Sequence, residues 1–329
     1  MSHTVRQGLF TLVVFLGLGA MYIAHAQLGS TDPINLTIEP SYPRPYQIIT
    51  VTPDSDLIDL SASTVTFSVN GRVVQTGTGS ESASIAVGGP GTVTNIVVTA
   101  TNNGQKYTKS ISIHPADVAL IIEPTSTIHP FYEGASLVGS EGRVRIIAIP
   151  DLRNSKGVQI PPQNLVYSWK NGDQILQDSS GIGRSVLTAA APVRYRNATI
   201  TLTVSSQDSS VVGQASVYIA PADPLMRIYH NDPLLGPLFD TALPNSITLN
   251  GSEDTYRAVP YYFTSIPSLT WQMNGTPSQT GQDITVRPAG SGQGTAILDV
   301  TGSSGTLGQS ANSTMSVTFG KTSTGIFGL

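Results

Sequence analysis

Apolar and polar residues alternate with period two through much of the chain. Along residues 92–101, Ile96, Val98 and Ala100 fall on one side and polar partners on the other. Along residues 197–204, Ala198, Ile200, Leu202 and Val204 alternate strictly with Thr199, Thr201 and Thr203. Ala296, Leu298 and Val300 are interleaved with Thr295, Ile297 and Asp299, and Met315, Val317 and Phe319 with Thr314, Ser316 and Thr318. Successive side chains of a strand point to opposite faces, so this pattern predicts strands with one buried and one wet face. Nothing after the first 26 residues sustains a 3.6-residue period, and the mature chain reads as all-β.

Three aromatic strands run into Asn-Gly, at Asn70-Gly71, Asn171-Gly172 and Asn274-Gly275. This dipeptide signals a hairpin, because a type I′ turn needs φ > 0 at both central residues. The asparagines are 171 − 70 = 101 and 274 − 171 = 103 residues apart, and Phe67, Trp169 and Trp271 sit two or three residues before them. The chain therefore reads as three copies of one unit of about 100 residues.

In the first unit, strands are expected at 34–38, 47–52, 63–69, 72–75, 83–87, 92–101 and 106–113, the pattern of a β-sandwich. Pro115-Ala116-Asp117 recurs as Pro221-Ala222-Asp223, each time after a strand, and reads as a tight, proline-stiffened joint. The expected divisions are a signal peptide at 1–26, Ig-like domains at 27–115, 116–221 and 222–320, and a loose tail at 321–329. Such joints predict an extended, semi-rigid rod.

The second and third units carry an insertion that the first lacks. It spans residues 129–137 in one and 232–243 in the other, and each copy is followed by Gly-Ser-Glu, at 139–141 and 251–253. Pro-Phe-Tyr-Glu and Pro-Leu-Phe-Asp read as one element in two copies. Phe131, Tyr132, Leu234, Leu235, Leu238 and Phe239 are too apolar for free loops, which are normally polar and solvated. Either each loop covers its own sandwich edge or the preceding joint, or it stays exposed as a partner site. The short joints favour burial.

Composition narrows the function classes. Of 329 residues only 12% are charged, the net charge is −4, and no basic face offers itself to nucleic acid. Arg6 precedes an apolar run from 9 to 23, and Ala24-His25-Ala26 fits signal peptidase, which predicts export and a mature start at Gln27. Membrane attachment is expected only through that segment, were it left uncleaved. Cysteine is absent, so each core must suffice without a disulfide. The Asn-x-Ser/Thr sequences at Asn35, Asn197, Asn250, Asn274 and Asn312 matter only in a host that glycosylates them.

Little catalytic chemistry is legible. His114, His129 and His230 fall in different units or loops without zinc spacing, and no nucleophile elbow or phosphate loop occurs. Asp54, Asp56 and Asp59 are the best calcium candidates, but Asp59 stands where an EF-hand needs Gly and Val65 where it needs an acid. Trp169 and Trp271 could be sugar platforms. Their repetition assigns them, with Phe67, to the core instead, and Tyr167, Tyr261 and Tyr262 stay open. No catalytic residue, cofactor or metal is expected.

The Tyr-Ser-Trp-Lys-Asn-Gly hairpin, the Ile-Glu-Pro strand starts and the Pro-Ala-Asp joints resemble bacterial tandem Ig-like or PKD-like extracellular modules. Together they look like a family of secreted triple-Ig-like proteins of small-genome bacteria, over residues 34–320. The acidic signatures of PKD modules are missing, which favours the Ig-like description. The resemblance implies sandwich domains and a secreted or cell-surface role. It brings no catalytic residues. The expectation is a non-enzymatic structural or interaction protein, adhesive or associated with pili or secretion, with a protein partner or surface assembly. The alternative is an extracellular carbohydrate-binding protein.

Overall fold

The computed structural model describes residues 32–290, 293–305 and 308–320; the signal-peptide and tail assignments lie outside them. No α-helix occurs among the described residues, and no helix there is long and apolar enough to cross a membrane. Two compact units are formed. Of the described residues, one contains 32–38, Thr50–Ile85 and Asn95–Ile111, and the other Glu39–Ile49, Ala86–Thr94 and those from Ser112 onward.

The first repeat has β1 (Asn35–Glu39), β2 (Ile48–Asp54), β3 (Thr64–Val69), β4 (Arg72–Thr78), β5 (Ala83–Ala86), β6 (Thr94–Asn102) and β7 (Gln105–Ile113). They form sheets β1-β2-β5 and β4-β3-β6-β7. Val51, Val65, Phe67, Ile85, Ile96, Val98 and Ala100 are buried.

The second repeat has β8 (Asp117–Pro124), β9 (Arg143–Asp151), β10 (Val166–Asn171), β11 (Gln174–Ile175), β12 (Gly181–Ile182), β13 (Val186–Ala190), β14 (Ala198–Ser205) and β15 (Val212–Ile219). Sheet β13-β9-β8 packs on sheet β11-β10-β14-β15. Val144, Ile146 and Leu187 of one sheet meet Trp169, Leu202 and Val204 of the other.

The third repeat has β16 (Leu225–Asp232), β17 (Gly236–Pro237), β18 (Ser246–Leu249), β19 (Asp254–Tyr261), β20 (Ser268–Met273), β21 (Thr276–Thr280), β22 (Asp283–Val286), β23 (Gly294–Ser304) and β24 (Gln309–Phe319). Sheet β17-β16-β19-β22 faces sheet β18-β24-β23-β20-β21 around Tyr256, Trp271, Leu298 and Val317. The chain changes sheet after β17, since β18 lies parallel to β24 with Ile247 opposite Val317.

The two tryptophans are fully buried, so neither ring can stack on a sugar. Their indole N–H groups find carbonyls at equivalent places. Trp169 Nε1 donates to Arg184 at 2.9 Å and Trp271 Nε1 to Gly281 at 3.1 Å. A buried indole needs such a partner.

One expectation about the turns is corrected. Asn70-Gly71 (φ 49° and 83°) and Asn274-Gly275 (φ 50° and 77°) are type I′ turns. Asn171 instead ends β10 opposite Gln174, so the turn is Gly172-Asp173, with Gly172 at φ 55° and Asp173 on the ordinary side. That pattern is type II′, which places Gly first. The first turn residues are then 70, 172 and 274, spaced 172 − 70 = 102 and 274 − 172 = 102, and each follows its core aromatic by three. Asn70 and Asn274 each make a reciprocal pair with the next strand. Asn70 N–H donates to Asn95 O at 2.8 Å, and its Oδ1 accepts from Asn95 N at 2.9 Å. Asn274 does the same with Ile297, at 2.8 and 2.9 Å.

Candidate interaction site

Proline at 124 ends β8, and the chain then crosses to the third sandwich. Thr127 N–H donates to Phe263 O and its carbonyl accepts from Tyr262 N, both at 2.8 Å. Its hydroxyl accepts from Phe263 N–H at 3.1 Å. Tyr262 is held at φ 63°, uncommon for a bulky side chain, and those bonds fix it.

The loop lays Ile128 and Tyr132 against Tyr229, Val259 and Tyr261, an apolar group on the outer face of β16 and β19. Phe239 and Ala242, from the insertion of the third repeat, close over the same group. His129 lies at the centre. It stacks on Phe239 with centroids 4.5 Å apart and planes 16° apart, and meets Tyr132 and Tyr261 edge-on at 5.4 and 5.8 Å. Under it the Tyr229 and Tyr261 hydroxyls share a 2.6 Å hydrogen bond. Burial first, and then that bond, push the Tyr261 hydroxyl well above its ordinary pKa, so it stays neutral.

Polar ties complete the junction. Gln309 is buried, donating from Nε2 to Ser140 O at 2.5 Å and accepting at Oε1 from Thr264 N at 2.9 Å. Gly139 bridges Ala222 of the Pro-Ala-Asp joint, and a Cβ on Gly139 would lie 2.2 Å from Tyr262 O. The partly exposed Arg194–Asp223 pair at 2.8 Å adds little. An open groove of about 640 Å³ runs beside the stack, lined by Ile128, Phe131, Phe239, Arg257, Val259 and Ile266. A second, of about 560 Å³, lies between Tyr132, Glu133 and Asp240.

The six insertion residues divide. Tyr132 and Phe239 are packed into the junction, and Leu238 sits at its rim. Phe131 is 92% exposed, Leu234 94% and Leu235 78%. Burial against the own sandwich or the preceding joint describes Phe239 but not Tyr132, which reaches forward to the next sandwich. The two insertions are also not one element in two copies. Residues 125–138 are irregular, whereas β16 and β17 make a hairpin with Asn231 opposite Pro237. The Asp232 carboxylate accepts from Leu234 and Leu235 N–H at 2.8 and 2.9 Å and caps that hairpin. These donors, that of Leu235 first, hold its pKa below the ordinary value.

Asp59, the calcium candidate, instead caps a short 3-10 turn by accepting from Ser61 N–H at 2.9 Å. Among the described residues no three His, Asp or Glu side chains gather as a metal site. His230 bonds Asp254 at 2.6 Å, in the third sandwich, apart from the other histidines.

No known protein family and no curated protein matches the sequence. Solved structures similar to it include three N-terminal domains of the highly immunogenic outer capsid protein (Hoc) of bacteriophage RB49. That likeness has 13% identity, 87% of this chain, 98% of that one and a TM-score of 0.27. Fibronectin(III)-like modules of Clostridium thermocellum CbhA match at 14% identity over 57% of this chain and 94% of theirs, with a TM-score of 0.27. The central fibronectin-III array of RIM-binding protein matches at 11% over 88% and 96%, again with a TM-score of 0.27. Overlays this loose add nothing to the strand arrangement described above.

Tyr229, Val259 and the central place of His129 were not anticipated from the sequence. The run Val259-Pro260-Tyr261-Tyr262-Phe263 carries the signal, because a strand apolar on both faces is one covered on both faces.

Proposed function

We propose that the chain is an exported, non-enzymatic structural or interaction protein of the cell surface, divided into domains at its two Pro-Ala-Asp joints. The observation that supports this is where its apolar side chains emerge. Phe131, Leu234 and Leu235 project from loops of the second and third repeats, while the nearby aromatic groups are spent on packing one another. Exposed apolar residues on loops fixed to a rigid scaffold suit a protein partner. The rings of Tyr229, Tyr261 and Phe239 are spent on packing at the junction, which favours the protein-partner reading over the sugar-binding alternative there.

The experiment is a triple substitution, Phe131→Ser, Leu234→Ser and Leu235→Ser. Cells expressing it should shed the protein or lose its surface contacts while the melting temperature stays within about 2 °C, as for surface changes. Unchanged surface retention would sink the reading.

A further inference from the structure

Asn-Gly occurs five times in the chain, at Asn70, Asn103, Asn171, Asn250 and Asn274. The pair has a chemistry of its own besides its turn preference. The backbone nitrogen of the glycine can attack Cγ of the asparagine before it, because no Cβ on the glycine crowds the approach. Ring closure needs that nitrogen free, and it needs the asparagine side chain and backbone to swing together. All five asparagines are exposed, so access to water does not tell them apart. Their restraints do.

Three of the five are tied by hydrogen bonds. Asn70 Oδ1 accepts from Asn95 N–H at 2.9 Å and Asn274 Oδ1 from Ile297 N–H at 2.9 Å, which holds each side chain against the next strand. At Asn171 the attacking atom itself is engaged, since Gly172 N–H donates to Thr199 O at 3.1 Å. Asn103 has a free side chain, but Asn103-Gly104 (φ 49° and 83°) is a type I′ turn closed between β6 and β7. Those paired strands fix its backbone. Asn250 has neither restraint. It lies between β18 and β19 in the exposed stretch 250–253. Among the described residues, nothing makes a backbone hydrogen bond to that stretch and nothing holds the Asn250 side chain.

We propose that Asn250 is a site of spontaneous modification, closing a succinimide ring with Gly251 and opening to aspartate or isoaspartate. The Gly251 nitrogen loses its proton and bonds to Cγ, the Cγ–Nδ2 bond breaks, and Nδ2 leaves as ammonia. Water then opens the ring. It yields aspartate where it breaks the new N–Cγ bond, and isoaspartate where it breaks the original peptide bond. Nothing is oxidised or reduced. Either product turns a neutral side chain into a carboxylate, on a chain whose net charge is already −4. Isoaspartate also lengthens the backbone by one carbon, which a stretch without hydrogen bonds absorbs, so the third sandwich stays folded. This chemistry belongs to the chain itself and does not depend on the cell-surface reading.

The test incubates the chain from Gln27 onward, made without glycosylation, in warm and mildly alkaline buffer. Protease digests taken at intervals are read by tandem mass spectrometry. Asn250 should convert ahead of Asn103. It should also convert at least about tenfold faster than Asn70, Asn171 or Asn274, each of which must first break a hydrogen bond. In urea the five should convert at similar rates, because their restraints are gone. Gly251→Ala should slow Asn250 at least about fivefold by crowding the attack. That Cβ would lie 3.5 Å from its nearest atom, Glu253 O, which is ordinary contact, so the variant should melt like wild type. An Asn250 that stays intact, or that any other Asn-Gly matches in the folded chain, would overturn the proposal. The same ranking in urea would overturn it as well, since the fold would then not be choosing the site. Aspartate without isoaspartate would replace ring closure by direct hydrolysis of the side-chain amide.

Discussion

His129 of the second repeat stacks on Phe239 of the third, at 4.5 Å and nearly parallel. Neither residue belongs to a sandwich core. Their contact joins two insertions and, with the Thr127 backbone bonds, ties the second and third sandwiches into one unit. The junction therefore has its own small apolar group, separate from the cores on either side.

Gly139→Ala should open that junction selectively. Its new Cβ would meet backbone at Tyr262 O, which cannot move away as a flexible side chain could. Hydrogen exchange at the amides of Thr127, Tyr262 and Phe263 should quicken, while the strands around Trp169 and Trp271 keep their protection. Equal exchange in wild type and variant would contradict the role given to Gly139.

The three hairpins offer a graded test. Asn70→Ala or Asn274→Ala forces alanine into a left-handed conformation and loses a side-chain bond, for about 1–2 kcal/mol each. Asn171→Ala should change stability by less than about 0.5 kcal/mol, because that residue ends a strand outside the turn. Chemical denaturation of the three variants decides it, and equal losses would refute the shifted turn.

Trp169→Ala should lower stability by about 3–5 kcal/mol, as expected for a fully buried ring whose removal leaves a cavity. Urea unfolding followed by circular dichroism measures the loss. A midpoint shift under 1 kcal/mol would place the ring outside the core.

Asp208 gives a pH dependence of known sign. The Ser206 hydroxyl and then the Ser210 N–H and hydroxyl hold its carboxyl at about 2. A lowered folded pKa means that its contribution is full above the ordinary value near 4 and fades as pH falls through about 2. Asp208→Asn should therefore melt below wild type at pH 6, with the two curves converging as pH falls from about 4 to 2. A gap that persists undiminished at pH 2 would rule this out.

Sequence alone determined the parts whose cause is local. Period-two alternation set the strands of the first repeat and β14 to within a residue or two, except β4, which runs three residues past its expected end, because the side-chain period of a strand is fixed by backbone geometry. Repetition of the aromatic and Asn-Gly pairs set three sandwiches and their buried Phe67, Trp169 and Trp271. The exact turn at Gly172 was hidden, since Asn-Gly can sit inside a turn or straddle its edge, and only pairing with Gln174 chooses. Tertiary structure alone decided where the insertions go. Tyr132 and Phe131 are neighbours of like character, yet one is packed and the other 92% exposed. Their fates depend on the outer face of another sandwich, made of residues about 100 positions away, and no local pattern records which face a loop will find.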